Sequence, residues 1–504
     1  MKVGINFIVI STFLFFLTSC FSANQSNQNS QTTETPVEIP TPNINLAKPL
    51  EISKLPADIS RCEKINQTID TSEFANARWG IIAISLKDGR VVCARETNKL
   101  FNPASTQKLL TSIVALDKLG ANFRWKTSVY STKQIEGDTL NGDLILYGTG
   151  APDFDENGLD KLVNELKNKG LKHIKGNLIG DESYFRGDKV GDGWAWGELQ
   201  WYYGAEAAAL TFNENQAEIS LKNGKPVSST DYVKTNGEVK PTQDIEAIGL
   251  KREINENEVY AWGNGANLQA KISVSKPAFW AAKSFKTKLE KNGITVDGEV
   301  KFIDWKAENK FDVSNAVELS STESATLGEI IRKMNKDSVN LYAELILRTL
   351  GKKFGETAPD ENPKINKLRG DDLAGASVIK KWLAENNIAT DDIQIHDGSG
   401  LSRLDFVTPE AMGRAIVFAS QSKFADVFKS SLPIAGTDGT LRGRLRSLSG
   451  KVLAKTGSIT YVNALAGYAK IADETFVFVI ITNNETRKND SLSVVDSIVT
   501  GLVN

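Results

Sequence analysis

Ser105 and Lys108 stand three residues apart, at the head of a segment in which Leu109, Leu110, Ile113, Val114 and Leu116 recur at helical spacing before Gly120. That spacing puts a hydroxyl and an amine on one helix face. A lysine takes a proton from a serine only when burial or a neighbouring cation lowers its pKa. The positive end of a helix works in the same direction and also favours a developing oxyanion. The pair therefore supports serine activation without histidine. The two histidines, His173 and His396, lie far apart in sequence, which speaks against a multi-histidine metal site and leaves little material for a Ser-His-Asp triad. Neither Ser105 nor Ser399, which lies just beyond His396, sits in a Gly-x-Ser-x-Gly elbow, so Asp397-Gly-Ser-Gly400 reads as a turn supporting the site wall.

An isolated Ser-x-x-Lys recurs by chance, and order is what distinguishes this one. Ser338-Val339-Asn340 and Lys455-Thr456-Gly457 follow it, and the three motifs together mark penicillin-binding proteins and class A β-lactamases. The first opens a helix. The second falls on the polar break Lys336-Asp337-Ser338 within the helical stretch from Thr326 to Leu350. The third lies on the strand Lys451 to Thr456, which reads as a sheet edge.

Further phrases carry a closer likeness: Asn102-Pro-Ala-Ser-Thr-Gln-Lys108, Gly180-Asp-Glu-Ser-Tyr-Phe185, Trp201-Tyr-Tyr-Gly204 with Asn213-Glu-Asn215, Asp397-Gly-Ser-Gly-Leu-Ser402 and Gly436-Thr-Asp-Gly-Thr-Leu441. In these, from about Ile59 to the end, the chain resembles the low-molecular-mass class C penicillin-binding proteins, the D-alanyl-D-alanine carboxypeptidase/endopeptidases of peptidase family S13. Two places depart from that pattern. Asp405 stands where asparagine is commoner, and Gly148-Thr-Gly-Ala-Pro152 lacks an expected acidic residue.

The resemblance implies an α/β (α+β) fold, with a β-lactamase-like peptidase domain of antiparallel sheet and helices and two mostly β domains inserted between the first two motifs. Ser105 would attack the D-Ala-D-Ala carbonyl while Lys108 takes its proton, and water would hydrolyse the acyl-enzyme. Ser338 would relay the proton to the leaving amine, and Asn340 would position the substrate amide and Lys108. Lys455 and Thr456 would hold the terminal carboxylate, and the N–H groups of Ser105 and Ser458 would form the oxyanion hole. A side chain at Gly457 would obstruct a substrate strand adding to the sheet edge. Peptidoglycan peptides are the implied substrates and β-lactams the covalent inhibitors. Acid, base and oxyanion donors all come from the chain, so no metal or organic cofactor is called for. The rival chemistry is a serine β-lactamase, which needs a water-activating group, and no deacylation glutamate is recognisable after Asn340. A non-catalytic peptidoglycan-binding lipoprotein is the alternative from outside enzymology.

Positioning these groups requires a domain completed from both ends of the chain. Trp79 to Leu86 and Arg90 to Glu96 are β-rich runs joined through Asp88-Gly89, and Asn463 to Ile471, Thr475 to Thr482 and a helix from about Ser491 to Leu502 close the sequence. Residues 50–138 and 320–504 are assigned to the peptidase domain and 139–319 to the insertion, which holds short β segments and a helix near 158–169. The aromatic cluster Trp194, Trp196, Trp201, Tyr202 and Tyr203 reads as interdomain packing, with sugar stacking as the alternative.

The N-terminus reads as an export signal. Lys2 precedes an apolar run from Ile5 to Leu17, too short to span a membrane comfortably, and Leu17-Thr-Ser-Cys20 looks like a lipobox whose Cys20 would accept diacylglycerol. Residues 1–20 are assigned to this signal and 21–49, rich in Ser, Asn, Gln, Thr and Pro, to a disordered tether. The expected location is periplasmic or extracytoplasmic, with a lipid anchor in a membrane. Export places Cys62 and Cys93 in an oxidising compartment, where they are either bridged, as expected, or buried free thiols. With 60 Lys+Arg against 62 Asp+Glu, no strong positive field exists to attract nucleic acid.

Overall fold

The computed structural model describes residues 41–242, 247–308, 311–355, 370–388, 392–486 and 490–503. Cys20, the export signal and the tether up to residue 40 lie outside the described residues.

The peptidase domain begins with α1 (Pro56–Asp70), β1 (Arg78–Ser85), β2 (Val91–Arg95) and α2 (Gln107–Leu119). The insertion contributes β3 (Lys126–Ser131), β4 (Leu144–Gly148), α3 (Glu156–Asn168), β5 (Leu178–Asp181), α4 (Pro277–Lys291), β6 (Val300–Ile303) and β7 (Val317–Glu323). The chain returns through α5 (Leu327–Asp337), α6 (Asn340–Phe354), α7 (Asp371–Glu385), α8 (Pro409–Gln421) and α9 (Ala425–Ser431). It ends in β8 (Val452–Ile459), β9 (Val462–Ile471), β10 (Glu474–Asn483) and α10 (Leu492–Val503).

The central sheet runs β8-β9-β10-β1-β2 and is antiparallel throughout, so the last three strands pair with the first two, as the sequence predicts. Both faces are covered, and the central strands are therefore apolar at successive positions instead of alternating. Ile82, Ile84, Val477, Val479 and Ile481 point into the core shared with α2 and α8. Trp79, Ile81, Phe476, Phe478 and Ile480 point into a second core under α1 and α10. Each fully buried large side chain of this kind stabilises the fold by roughly 1.5–3 kcal/mol.

Residues 41–49 were expected within the tether, yet Leu46 is buried, and its carbonyl and that of Asn387 (3.0 Å) accept from the buried Arg414 guanidinium. This segment is thus packed on the domain despite its polar composition, because Ile44 and Leu46 supply the apolar contacts. Cys62 of α1 and Cys93 of β2 form a disulfide, their Cα atoms 4.8 Å apart. It closes a loop with a sequence separation of 31. Its replacement by two serines is expected to cost roughly 3–4 kcal/mol on chain-entropy grounds. Thermal melts with and without reductant measure this, and the serine double variant should no longer respond to reductant.

In the insertion a five-stranded sheet, β6-β5-β4-β3-β7, packs against α3 and α4. Asp155 caps α3 by accepting from the N–H groups of Asn157 and Gly158. The helix runs over Glu156–Asn168, close to the predicted 158–169. β3 and the latter part of β7 belong to this sheet although they lie outside the 139–319 span assigned to the insertion. Short half-buried strands look alike on either side of a domain crossing, and only their pairing reveals which sheet they join. Two three-stranded sheets occupy the stretch from Gln216 to Ser273. Phe185, Ala207 and Ala209 from the insertion pack with Leu341 and Leu345 of α6, fastening the insertion behind the second motif.

Candidate active site

Ser105 sits in a single 3₁₀ turn, Ala104–Thr106, that leads directly into α2. Ala104 is held at φ 46°, a left-handed conformation that costs a non-glycine residue energy and therefore needs surrounding support. Asn102 supplies part of it. Its side chain accepts from Ala104 N at 3.0 Å and donates to the carbonyls of Ser402 (2.9 Å) and Asp405 (3.2 Å). Asn483 on β10 brackets the same residue with a second amide, accepting from Asn102 N and donating to its carbonyl.

One turn on, Lys108 is fully buried, and its Nζ donates to Ser105 Oγ (2.9 Å), Asn340 Oδ1 (2.7 Å) and the Ser399 carbonyl (2.7 Å). Burial pushes its pKa down to about 7, against the opposing pull of Asp397, Glu344 and Asp405.

Ser338 ends α5 in a left-handed conformation (φ 59°), and Asn340 opens α6, so the second motif is a tight helix-to-helix link. Asn340 is held from a second side, because its Nδ2 donates to the Tyr203 carbonyl at 2.9 Å. Its expected grip on Lys108 is present. One of its two amide N–H groups is engaged by the inserted segment, which leaves the other for a substrate.

Lys455 on β8 is also fully buried and donates to Ser338 Oγ (2.9 Å) and the Thr456 carbonyl (2.8 Å). Burial first, and Lys108 second, hold its pKa well below the usual lysine range. Thr456 donates its hydroxyl to Thr440 at 2.8 Å, which gives the Gly436–Leu441 phrase a place beside the third motif. Within that phrase Asp438 pairs with Lys336 of α5 at 2.5 Å.

β8 is the sheet edge, and its first half is covered, since Ala454 N donates to Pro433 O and Val452 O accepts from Ala435 N. By alternation the backbone groups of Thr456 and Ser458 point to the same outer side. Gly457 lies against the nucleophile turn: a Cβ there would sit 2.9 Å from Pro103 O, 3.0 Å from Ser105 N and 3.1 Å from Thr106 N. The reason expected from sequence, room for a substrate strand, gives way to a nearer one: the glycine lets β8 touch the backbone that presents Ser105. Gly457→Ala is expected to lower the acylation rate by roughly 10- to 100-fold with little change in melting temperature, because those backbone atoms must shift.

The 397–402 turn is the wall behind the amine. Asp397 is fully buried and accepts at Oδ1 from the N–H groups of Ser399 and Gly400. At Oδ2 it accepts from Ser402 N, Ser399 Oγ and Trp194 Nε1. Gly400 (φ 78°) passes so close to the Ala104 carbonyl that a Cβ would lie 1.8 Å from it. His396 Nδ1 faces Asp192 at 3.0 Å, so neither Ser105 nor Ser399 has a histidine partner there. Trp194 and Trp201 pack as expected, whereas Trp196 stands 78% exposed.

With this geometry in hand, comparison with known proteins is decisive. Residues 62–503 match the model of the D-Ala-D-Ala carboxypeptidase 3 (S13) family. The chain belongs to that family. Among curated S13 relatives, a D-alanyl-D-alanine carboxypeptidase of an Actinomadura species is 28% identical over 456 residues, covering 84% of this chain and 81% of the relative. The carboxypeptidase DacB of Haemophilus influenzae is 28% identical over 410 residues, covering 77% and 81%. The crystal structure of penicillin binding protein 4 (dacB) from Haemophilus influenzae superposes with a TM-score of 0.74 at 26% identity, covering 88% of this chain and 98% of that one. The same H. influenzae protein has been solved with a novel β-lactam bound.

The three S13 motifs, separated by up to 350 positions in sequence, thus meet around one point. Sequence reading placed the 397–400 turn in the site wall and Trp194 and Tyr203 in an aromatic cluster, but assigned none of Tyr203, Ser399 and Trp194 a bond within the site. The only local signal was Asp397 ahead of a Gly-Ser-Gly run, the pattern of an aspartate accepting from the next backbone N–H groups.

Proposed function

We propose that this S13 enzyme hydrolyses D-Ala-D-Ala peptides of peptidoglycan through an acyl-enzyme on Ser105, as carboxypeptidase and as endopeptidase on cross-links. The observation that carries the reading is the Lys108 amine, stripped of water and 2.9 Å from Ser105 Oγ. A buried amine titrating near neutral pH is a base matched to its task. Lys108 takes the Ser105 proton as Oγ attacks the carbonyl. The tetrahedral oxyanion is met by the N–H of Ser105, at a turn where helical N–H groups lack internal partners, and by the outward N–H of Ser458. Ser338, tied to Lys455, passes the proton to the leaving D-alanine amine. The substrate carboxylate favours the charged form of Lys455 on arrival, and Thr456 turns its hydroxyl from Thr440 to share it. Water then cleaves the ester.

β-Lactams enter the same path and stall as acyl-enzymes. Among the described residues, the hydrogen-bond partners of the Lys108 amine are a hydroxyl, an amide and a backbone carbonyl, and none of them is a carboxylate. This favours penicillin-binding over β-lactamase behaviour.

Export and lipidation at Cys20 are part of the proposal, supported by the apolar run and Leu17-Thr-Ser-Cys20. No helix among the described residues is long and apolar enough to cross a membrane. The test is D-alanine release from a diacyl-L-Lys-D-Ala-D-Ala peptide together with nitrocefin turnover. Release with negligible nitrocefin turnover supports the reading; rapid nitrocefin hydrolysis without D-alanine release overturns it.

A further inference from the structure

Asp405 is a fully buried carboxyl whose two oxygens are treated differently. Oδ1 accepts from His396 N at 2.7 Å and, at 3.4 Å, from Asp397 N. Oδ2 is buried and receives no donor. The Asp405 carboxyl lies beside Asp397, whose N–H it accepts and whose carboxyl acts on it. Asp397 receives five donors on its two oxygens, the pattern of an ionised carboxylate that can only accept. Two ionised carboxylates in contact, out of water and with one oxygen unsatisfied, are strongly disfavoured; one proton between them removes both penalties.

We propose that Asp405 is a positioning residue that works as a neutral carboxylic acid, donating to Asp397 and so fixing the 397–402 turn that holds the Ser399 carbonyl against Lys108. This rests on the assignment of Lys108 as the base. Burial and the neighbouring Asp397 act in the same sense, raising the Asp405 pKa well above that of a free aspartate. The other titratable groups around the pair are His396, which faces Asp192, Lys108 from α2, Glu344 from α6, whose Oε1 accepts from Gly398 N at 2.9 Å, and Glu198 of the insertion, which Asp397 and Arg403 act on.

The neutral state also matters for the base. A charged Asp405 contributes to the pull that raises the Lys108 pKa, and a neutral one removes that contribution, so the amine falls further.

Asp405→Asn keeps the shape and a donor towards Asp397, and Asp405→Ala removes the donor. In the full-length protein, penicillin acylation by the asparagine variant is expected within about twofold of wild type at neutral pH. The acidic limb of its pH–rate profile should be unmoved. The alanine variant should lose tenfold or more. A second readout is stability. An acid whose pKa is raised on folding makes the folded state hold a proton the unfolded chain releases, so stability falls as pH rises above about 4. The melting temperature of Asp405→Asn should therefore gain on wild type progressively from pH 5 to pH 8; the Glu344 contribution is common to both proteins and cancels.

Three results would overturn the proposal: an asparagine variant that fails to fold or to acylate, an acidic limb displaced to lower pH, or a melting-temperature difference independent of pH. Loss of acylation in Ser105→Ala and Lys108→Met with the Asp405 melting behaviour intact would leave this proposal standing. Normal acylation in Lys108→Met would instead remove the mechanistic reading on which it rests.

Discussion

Lys108→Met is expected to leave a folded protein whose acylation by penicillin is slowed by ~10²–10⁴-fold, the usual worth of a positioned general base. Methionine is unbranched and of similar length, so it fills the channel that α2 makes for the lysine stem. What disappears is the amine at the meeting point of Ser105 Oγ, Asn340 Oδ1 and Ser399 O. The pH profile should disappear with it. In the wild-type enzyme the reactive form is the neutral amine, and burial has moved its pKa from 10.5 to about 7. Acylation should therefore climb about tenfold per pH unit below 7 and level off above it. Lys108→Met should show a low, flat profile across that range. Stopped-flow acylation at a series of pH values measures both effects, with circular dichroism confirming the fold.

Ser338→Ala is expected to lower the acylation rate and D-alanine release by roughly 10²–10³-fold while leaving non-covalent β-lactam affinity within a few-fold of wild type. The hydroxyl is fixed from two sides, by the left-handed backbone at the end of α5 and by Lys455 Nζ at 2.9 Å. In the proposed mechanism it lies on the proton's path to the leaving amine, and the groups assigned there to the ligand's carboxylate, Lys455 and Thr456, are retained. The loss should appear in the rate at saturating ligand; a loss confined to affinity would move Ser338 from the relay to the binding surface.

The chemistry was readable in the sequence because the three motifs are short, ordered and set at a helix start, a helix–helix link and an edge strand. The five-stranded antiparallel sheet was readable for a related reason. Its apolar runs, such as Thr475 to Thr482, are long enough to read as strands, while the cover on both faces emerged only from the packing. What escaped reading depends on contacts between distant positions. Trp194 reaches Asp397 and Tyr203 reaches Asn340 across 203 and 137 residues, and no local pattern announces either bond. Gly457 was correctly read as a glycine needed for close approach, but the neighbour it admits is the chain's own nucleophile turn. The packing of residues 44–46 was hidden by polar composition, because two apolar side chains suffice to dock that segment.

The inserted domains take on a defined part in this account. They do not merely interrupt the peptidase domain: the Tyr203 carbonyl holds Asn340, which holds Lys108, and the Trp194 indole holds Asp397, which anchors the turn whose Ser399 carbonyl meets Lys108. Accuracy of a few tenths of an ångström at the amine thus rests on segments from both parts of the chain.

The central claim, that Ser105 is acylated and the ester is long-lived, is tested most directly by incubating the purified protein and its Ser105→Ala variant with a fluorescent penicillin. The label is then followed on denaturing gels for several hours after excess drug is removed. The account predicts a stable band on wild type and none on the folded variant. A label retained by Ser105→Ala, or no label on folded wild-type protein, would contradict it.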